Sequence, residues 1–176
     1  MDLWTPIKEM RNKRAYCSAC AVKNHNYIYV FGGLSDHVIL STIEQYDIML
    51  EQWTELSLMM PSKIIKFGCV AINSSEIIIA GGIHGGENEQ FTYVNTSYKL
   101  DLYTNKWTVL PKMNCRRVLD SALPYTPQTS LMGEVIDSKI YAIGGAFDGS
   151  CEAFNLNSGR WQPLMGYDKL LKDNDL

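Results

Sequence analysis

The feature that most constrains the fold is a short apolar segment that ends in two glycines and occurs three times. The segments read YIYVFGG, EIIIAGG and KIYAIGG. Each run of Ile, Val, Tyr or Phe before the glycines predicts a buried β-strand. Glycine tolerates positive φ and close backbone approach, so each pair lets the chain leave its strand sharply. The repeated glycines are Gly32, Gly33, Gly81, Gly82, Gly144 and Gly145.

Four tryptophans recur in step with the glycine pairs and define a period of about 50 residues. They are Trp4, Trp53, Trp107 and Trp161. A large apolar residue lies seven positions before each of the last three, and a short polar residue follows it: Tyr46 and Asp47, Leu100 and Asp101, Phe154 and Asn155. A base lies four positions after a methionine in each unit: Arg14, Lys63 and Arg117. Such a period is typical of propeller blades and solenoids.

Each unit also contains four strand-like runs separated by polar turns. In the first unit the runs are 16–22, 27–31, 43–47 and 52–56. Sustained helical periodicity is absent from the sequence, apart from a possible short stretch near its C-terminal end. Four strands per unit with a glycine pair favour a propeller over a helical repeat.

The order of base, strand, glycine pair, variable loop, Tyr-Asp type pair and tryptophan resembles the kelch repeat. The resemblance covers residues 4–167 and implies an all-β fold of four-stranded antiparallel, kelch-type β-propeller blades. The units predicted from it are the end of a preceding blade at 1–10, blades at 11–58, 59–112 and 113–166, and a polar tail at 167–176. Three full units predict an incomplete ring of about three blades.

An open ring leaves apolar blade edges that invite self-association. Three interpretations remain open for it. The sequence is part of a longer propeller protein, which we favour, or two copies pair as three plus three blades, or it is a partial gene product without independent function.

Two motifs suggest other chemistry. IIIAGGIHGGEN is glycine-rich but matches neither a dinucleotide fingerprint nor a P-loop, so we interpret it as repeat glycines followed by a loop tip at Gly85 and Gly86. Cys17 and Cys20 have the spacing of a zinc clip, but they fall in a predicted strand, where residues three apart point to opposite faces. We expect no metal and no cofactor. By resemblance, an enzyme of the kelch oxidase or sugar isomerase class is the alternative function.

Loops give propellers their specificity, and here their lengths differ between units. The second unit has a long loop at 83–94, and the third has nine extra residues between its base and its glycines. The three repeated basic residues, Arg14, Lys63 and Arg117, form what we call the basic column. Their side chains either line a binding face or bond a neighbouring strand end. In the kelch receptor domains that this sequence resembles, the positions just after each base often carry Ser or Arg that bind acidic peptides. Here those positions and the residue after each glycine pair are apolar, so the resemblance does not favour an acidic-peptide site, and an apolar ligand is an equal alternative. The predicted partner contacts are Arg14, Tyr16, His37, Lys63, His84, Glu87, Phe91, Arg117, Tyr125, Phe147 and Asp148.

The net charge is −3, and the longest apolar runs are far shorter than a membrane helix. We therefore expect no nucleic-acid or membrane partner, and a cytoplasmic location. The predicted function is a non-catalytic protein–protein interaction module. The resemblance implies substrate recognition for a cullin-based ubiquitin ligase, or a scaffold, although no BTB or F-box segment is visible in the sequence.

Overall fold

A computed structural model describes residues 4–22, 24–86, 89–118, 130–131, 135–146 and 150–164. Every regular element within these ranges is a β-strand. Along the chain the strands are β1 Ser18–Ala21, β2 Tyr27–Phe31, β3 Leu34–Ser35, β4 Val38–Ile39, β5 Thr42–Asp47, β6 Gln52–Met59, β7 Ile64–Ile65, β8 Gly68–Ala71, β9 Glu76–Ala80, β10 Ile83–Gly86, β11 Glu89–Tyr93, β12 Ser97–Asp101, β13 Lys106–Leu110, β14 Ser130–Leu131, β15 Lys139–Ile143, β16 Cys151–Asn155 and β17 Arg160–Pro163.

Twelve of these strands form three four-stranded antiparallel sheets. Their orders are β1-β2-β5-β6, β8-β9-β12-β13 and β14-β15-β16-β17. Each sheet is a meander in which neighbouring strands follow one another in the chain, apart from the short hairpins inserted into the first two sheets. The predicted all-β architecture of four-stranded antiparallel blades is confirmed, and we call the sheets blades one, two and three. The described residues do not close a ring.

Blade two is buried on both faces, and its second strand shows why. Ile77, Ile78 and Ile79 of β9 are all fully buried. Ile77 and Ile79 belong to the core shared with blade one, whereas Ile78 and Ala80 belong to the core shared with blade three. Successive strand side chains point to opposite faces. The unbroken apolar run EIIIA is therefore what a strand between two other blades requires.

The tryptophans of the three blades join each blade to the unit before it. The indole N–H of Trp53 donates to the carbonyl oxygen of Lys8 at 2.7 Å, and that of Trp107 donates to the carbonyl oxygen of Met59 at 2.9 Å. Trp107 also meets Phe31 of blade one edge to face, with ring centroids 6.3 Å apart. These large rings supply both apolar area and a directed hydrogen bond between units.

The glycine pairs end the second strand of each blade in a backbone conformation that other residues avoid. All six glycines have positive φ. At Gly33, φ is 99°, and an added Cβ would lie 2.8 Å from the carbonyl oxygen of Ala15. At Gly82, φ is 101°, and an added Cβ would lie 2.6 Å from the carbonyl oxygen of Ile65. Both the φ angle and the lack of space therefore require glycine.

The turns between the third and fourth strands share one design. A side-chain oxygen of Asp47, Asp101 or Asn155 accepts the N–H groups two and three residues ahead at 2.8–3.0 Å. This is the expected role of Asp and Asn in a turn. The residue four positions after each of them has positive φ: Glu51, Asn105 and Gly159.

Candidate functional site

The connections at one end of the blades form the candidate site. The second strand of each blade runs toward its glycine pair, and the fourth strand returns to the same end, because neighbouring strands are antiparallel. We define the loop face as the described residues of 10–17, 32–41, 60–67, 81–96, 111–118 and 144–150. Every described residue among the predicted partner contacts belongs to these segments.

A two-stranded hairpin of β3 and β4 rises from the loop face after the first glycine pair. Leu34 pairs with Ile39 and Ser35 pairs with Val38. The two turn residues, Asp36 and His37, both have positive φ, as tight hairpin turns require. The base of the hairpin is held by Leu34, which exchanges backbone hydrogen bonds with Ala15 at 2.9 and 2.7 Å. His37 and Val38 are exposed near the tip.

The long loop of the second unit is also a hairpin rather than an irregular loop. β10 pairs with β11 on one side and with β7 on the other, giving a three-stranded sheet. Gly85 and Gly86 lie within β10, so the interpretation of this pair as a loop tip was wrong. Gly85 makes room for Phe91, whose ring would lie 2.7 Å from an added Cβ.

The two hairpins are neighbours, since β4 lies against β10. Together with the connections beside them they carry exposed apolar side chains. Phe91 is 64% exposed and Tyr16 is 44% exposed, and Val38 and Tyr93 are close to 40%. The loop face therefore presents apolar groups on paired backbone.

Tyr16 and Lys66 link the segments that lead into blades one and two. The N–H of Lys66 donates to the carbonyl oxygen of Tyr16 at 3.0 Å. The Lys66 ammonium lies 4.6 Å from the centroid of the Tyr16 ring, within cation–π distance. Both residues have positive φ. The tyrosine ring is thus held in place on the loop face.

Arg14, a predicted partner contact, is turned into the blade. Its side chain and that of Glu44 are fully buried and lie 2.5 Å apart. Its guanidinium also donates to the carbonyl oxygens of Gly32 and Thr42, at 2.8 and 3.2 Å. A buried guanidinium needs such partners, because an unpaired buried charge is costly.

Arg117 repeats this arrangement in blade three. Its side chain is buried, and Nε donates to Glu152 Oε1 at 2.9 Å. Nη1 donates to the carbonyl oxygen of Gly144 at 2.7 Å. Arg14 and Arg117 each bond strand-end carbonyl oxygens and a carboxylate of their own blade, and their contact with a partner stays a prediction.

The spacing of the basic column also changes in the structure. A Cβ on Gly32 would meet the Met60 sulfur at 3.1 Å and the Ile64 carbonyl oxygen at 3.0 Å. The equivalent glycine of the next unit meets Met113 and Arg117 in the same way. Ile64 therefore occupies the arginine position in blade two.

Lys63, assigned to the basic column from the sequence, lies one residue out of step. It is exposed, and Met59 before it is exposed as well. The shift begins at an irregularity in the pairing of β5 with β6, between Thr42 and Glu44. Between these two pairs β6 advances four residues, from Glu55 to Met59, while β5 advances two, so the strands leave register there as at a bulge. Lys63 remains available on the loop face as a predicted contact.

The residues that sequence reasoning missed are the buried carboxylates opposite the arginines. Glu44 and Glu152 each lie two positions before the large apolar residue of the repeat. Blade two has Tyr98 there, packed against the same core as Ile64. The sequence did contain a signal for these ion pairs. A glutamate stands at this position in the two units that have an arginine, and it is absent from the unit that has none.

Of the other predicted contacts, one lies on a described strand and four lie outside the described residues. His84 is half-buried on β10, beside Ile64 of β7. Glu87, Tyr125, Phe147 and Asp148 lie outside the described residues.

The start of the described chain contacts blade one at Lys8, whose carbonyl oxygen accepts the Trp53 indole N–H. Trp4 is fully exposed and Ile7 is mostly exposed. The residues between 4 and 10 belong to no strand. Self-association through this edge stays a prediction.

No group of three or more His, Cys, Asp or Glu side chains is placed to hold a metal ion among the residues that the structure describes. In those ranges there is likewise no helix long and apolar enough to cross a membrane.

Comparisons with known proteins agree with this architecture. The Kelch motif family model matches residues 13–60. Beta-scruin of Limulus polyphemus is 29% identical over 93% of the chain, and Kelch-like protein 23 of Mus musculus is 28% identical over 82%. Kelch-like ECH-associated protein 1A of Danio rerio is 30% identical over 68%. The chain spans 17%, 23% and 17% of the lengths of these relatives. With its three antiparallel blades, glycine-pair strand ends and tryptophan bridges, this chain belongs to the kelch-repeat proteins.

Proposed function

We propose that the chain is a non-catalytic protein-binding module and that its partner docks on the loop face, across the hairpins β3–β4 and β10–β11. The observation that carries the proposal is the position of four exposed apolar side chains on the two paired hairpins and on the segment beside them. Phe91, Tyr93, Tyr16 and Val38 project from segments that meet at one end of the blades. Aromatic side chains of this kind are enriched among the residues that dominate binding energy.

The hairpins are held in place before a partner arrives. β10 is paired on both sides, and the base of the first hairpin is bonded to Ala15. Rigid aromatic side chains lose little conformational entropy on binding. A site with these properties favours a partner that offers apolar side chains to these exposed rings.

An acidic peptide is disfavoured as the partner by the placement of the arginines. The guanidinium groups of Arg14 and Arg117 already bond carboxylates and carbonyl oxygens inside their blades. Binding an acidic peptide with them would require breaking buried charge-assisted bonds. Lys63 remains exposed and contributes at most a peripheral contact.

A finer role follows from family resemblance alone. Substrate recognition for a cullin-based ubiquitin ligase, or a scaffold function, agrees with binding through the loop face. Kelch-like ECH-associated protein 1A of Danio rerio is named for its association with ECH, which supports an interaction role for this chain as well.

The experiment compares two exposed aromatic residues at opposite ends of the blades. Phe91→Ser removes a ring from the loop face, whereas Tyr103→Ser removes a ring that is 91% exposed on the turn between β12 and β13. Proteins captured by the wild-type chain would be quantified against both variants, with cross-links mapped to the chain. We expect Phe91→Ser to lose the specific partner and Tyr103→Ser to keep it, with cross-links at 34–39 and 83–93.

Equal retention of the partner by both variants, or cross-links that map to the turns at the other end, would contradict the proposal. Thermal unfolding of both variants provides the control for folding. Since both rings are mostly exposed, neither change should shift the stability by more than about 0.5 kcal/mol.

A further inference from the structure

Two cysteines on neighbouring blades face each other across the interface between blades one and two. Cys20 lies on β1, opposite Tyr29, and Cys69 lies on β8, opposite Ile79. Tyr29 and Ile79 both belong to the core between the two blades. Residues paired across a sheet point to the same face, so each thiol is directed at the other blade.

The offset between the two positions is what makes them face each other. Gly68 of β8 pairs with the last residue of β9, as Ser18 of β1 pairs with the last residue of β2. Cys69 is therefore one position past Gly68, whereas Cys20 is two positions past Ser18. A one-residue difference reverses the direction of a strand side chain. If both cysteines lay at the same distance from the start of their strands, both thiols would point in the same direction and would not meet.

The two sulfur atoms are already in contact. The Cys69 thiol donates to the Cys20 sulfur at 3.2 Å, and neither residue is in a disulfide. A disulfide requires about 2.05 Å between the sulfurs. Both side chains are half-buried, and the neighbouring Ser18 hydroxyl donates to the carbonyl oxygen of Phe67 across the same interface. Little movement separates the dithiol from a covalent link.

We propose that Cys20 and Cys69 form a modification site that a small disulfide, such as oxidised glutathione, converts into a covalent bridge between blades one and two. In the first step the Cys20 thiolate attacks one sulfur of the small disulfide, forms a mixed disulfide and releases one small thiolate. In the second step the Cys69 thiolate attacks the Cys20 sulfur and releases the other. The protein loses two electrons and two protons in total, and the small disulfide is reduced to two thiols.

The surroundings of Cys69 indicate which of the two thiols reacts first. Burial, together with the adjacent Cys20 thiol, raises the pKa of the Cys69 thiol. A thiol with a raised pKa is a poor first nucleophile, because the thiolate is the reactive form. Cys69 is therefore the resolving thiol, which reacts once Cys20 carries the mixed disulfide.

The bridge would link the first strands of two blades, at cysteines that are 49 positions apart in the sequence. Closing a chain segment of this length restricts the unfolded state more than the folded one. The reversible link would therefore stabilise the interface between blades one and two under oxidising conditions.

The test equilibrates the full chain with mixtures of reduced and oxidised glutathione and analyses it by intact mass and peptide mapping. We expect the chain to lose the mass of two hydrogen atoms and to give a cross-linked peptide that joins Cys20 to Cys69. We expect the thermal midpoint of the oxidised chain to rise by about 5–15 °C. Reduction should reverse both changes.

Variants separate this pair from the other three cysteines. Cys20→Ala and Cys69→Ala should abolish the cross-linked peptide and the rise in midpoint, whereas Cys17→Ala, at a neighbouring half-buried position, should keep both. Mapping of the wild-type chain stands even where a variant folds poorly. A bridge that involves other cysteines, links between two chains, or only the mixed disulfide at Cys20 would overturn the proposal.

Discussion

Replacing Arg14 tests whether the arginines hold the blades or bind a partner. In Arg14→Met, Glu44 would stay fully buried without its cation. The carboxylate would keep only the N–H groups of Arg11 and Asn12, at 2.8 and 3.1 Å, and a longer contact from the Asn12 amide. Leaving one member of a buried ion pair unpaired costs about 3–5 kcal/mol. We expect the free energy of unfolding to fall by about this amount.

Blade two provides the design of the compensating variant. It has Ile64 and Tyr98 where blades one and three have the ion pair. The double replacement Arg14→Ile with Glu44→Tyr copies that solution and removes both charges. Replacing a buried ion pair with apolar groups is often close to neutral. The double variant should therefore lose less than about 2 kcal/mol, less than Arg14→Met alone.

Urea unfolding followed by tryptophan fluorescence measures these differences through the midpoint and the slope. Lys63→Met is the matched control, since sequence reasoning placed Lys63 in the same column and the structure exposes it. Its stability should stay within about 0.5 kcal/mol of wild type. Arg14→Met with nearly unchanged stability but weakened partner binding would refute the structural role. The structural role would also be refuted if the double variant Arg14→Ile with Glu44→Tyr were as unstable as Arg14→Met.

The glycines, a tryptophan and a turn acid give three further measurable effects. Gly82→Ala forces a Cβ against a backbone carbonyl and should lower the free energy of unfolding by about 3 kcal/mol or more. Gly159→Ala places its Cβ in open space and should lower it by about 1 kcal/mol, because only its φ of 63° is unfavourable. Equal urea midpoints for the two variants would contradict this difference. Trp107→Phe loses the hydrogen bond to a β6 carbonyl and should cost about 1–2 kcal/mol in the same assay, and no loss would show that the bond adds nothing. Hydrogen bonds from the turn, that of the Thr104 N–H first, lower the pKa of Asp101. The folded-state pKa lies below the unfolded value, so this contribution is complete above about pH 4 and is lost as the pH falls through the folded value. Asp101→Asn should keep the turn at pH 7 and flatten the acid limb of the stability profile, and an unchanged acid limb would contradict the assignment.

The blade framework could be read from the sequence because each repeated residue answers a local requirement. A glycine pair is needed where positive φ and a close carbonyl coincide, and an Asp or Asn is needed where a turn must satisfy its own N–H groups. Such requirements recur at fixed spacing whatever the neighbouring blade contains. The bounds of β2 match the predicted run 27–31 for this reason.

The details that sequence reasoning missed depend on contacts between distant residues. Glu44 lies 30 positions from Arg14, and nothing local to either predicts that both are buried. The basic column was read through Lys63 because spacing was counted from Met59. Pairing between β5 and β6 decides that Met60 is the equivalent residue, and a strand bulge leaves no clear signature in one sequence. The second hairpin was missed because its glycines resemble those of a flexible loop.

The three blades act as internal controls for one another, and their comparison supports the proposal that a partner binds at one end. The turns between third and fourth strands are alike in all three blades, each with an Asp or Asn cap and a residue of positive φ four positions on. At the opposite end, blade one carries a two-stranded hairpin, and blade two carries a longer one with a third strand. The described exposed aromatic residues of the connections at that end belong to these two units. Folding a blade requires a connection at each end but does not require these differences. Their restriction to the loop face is what a scaffold would show if one end had been elaborated to recognise a partner.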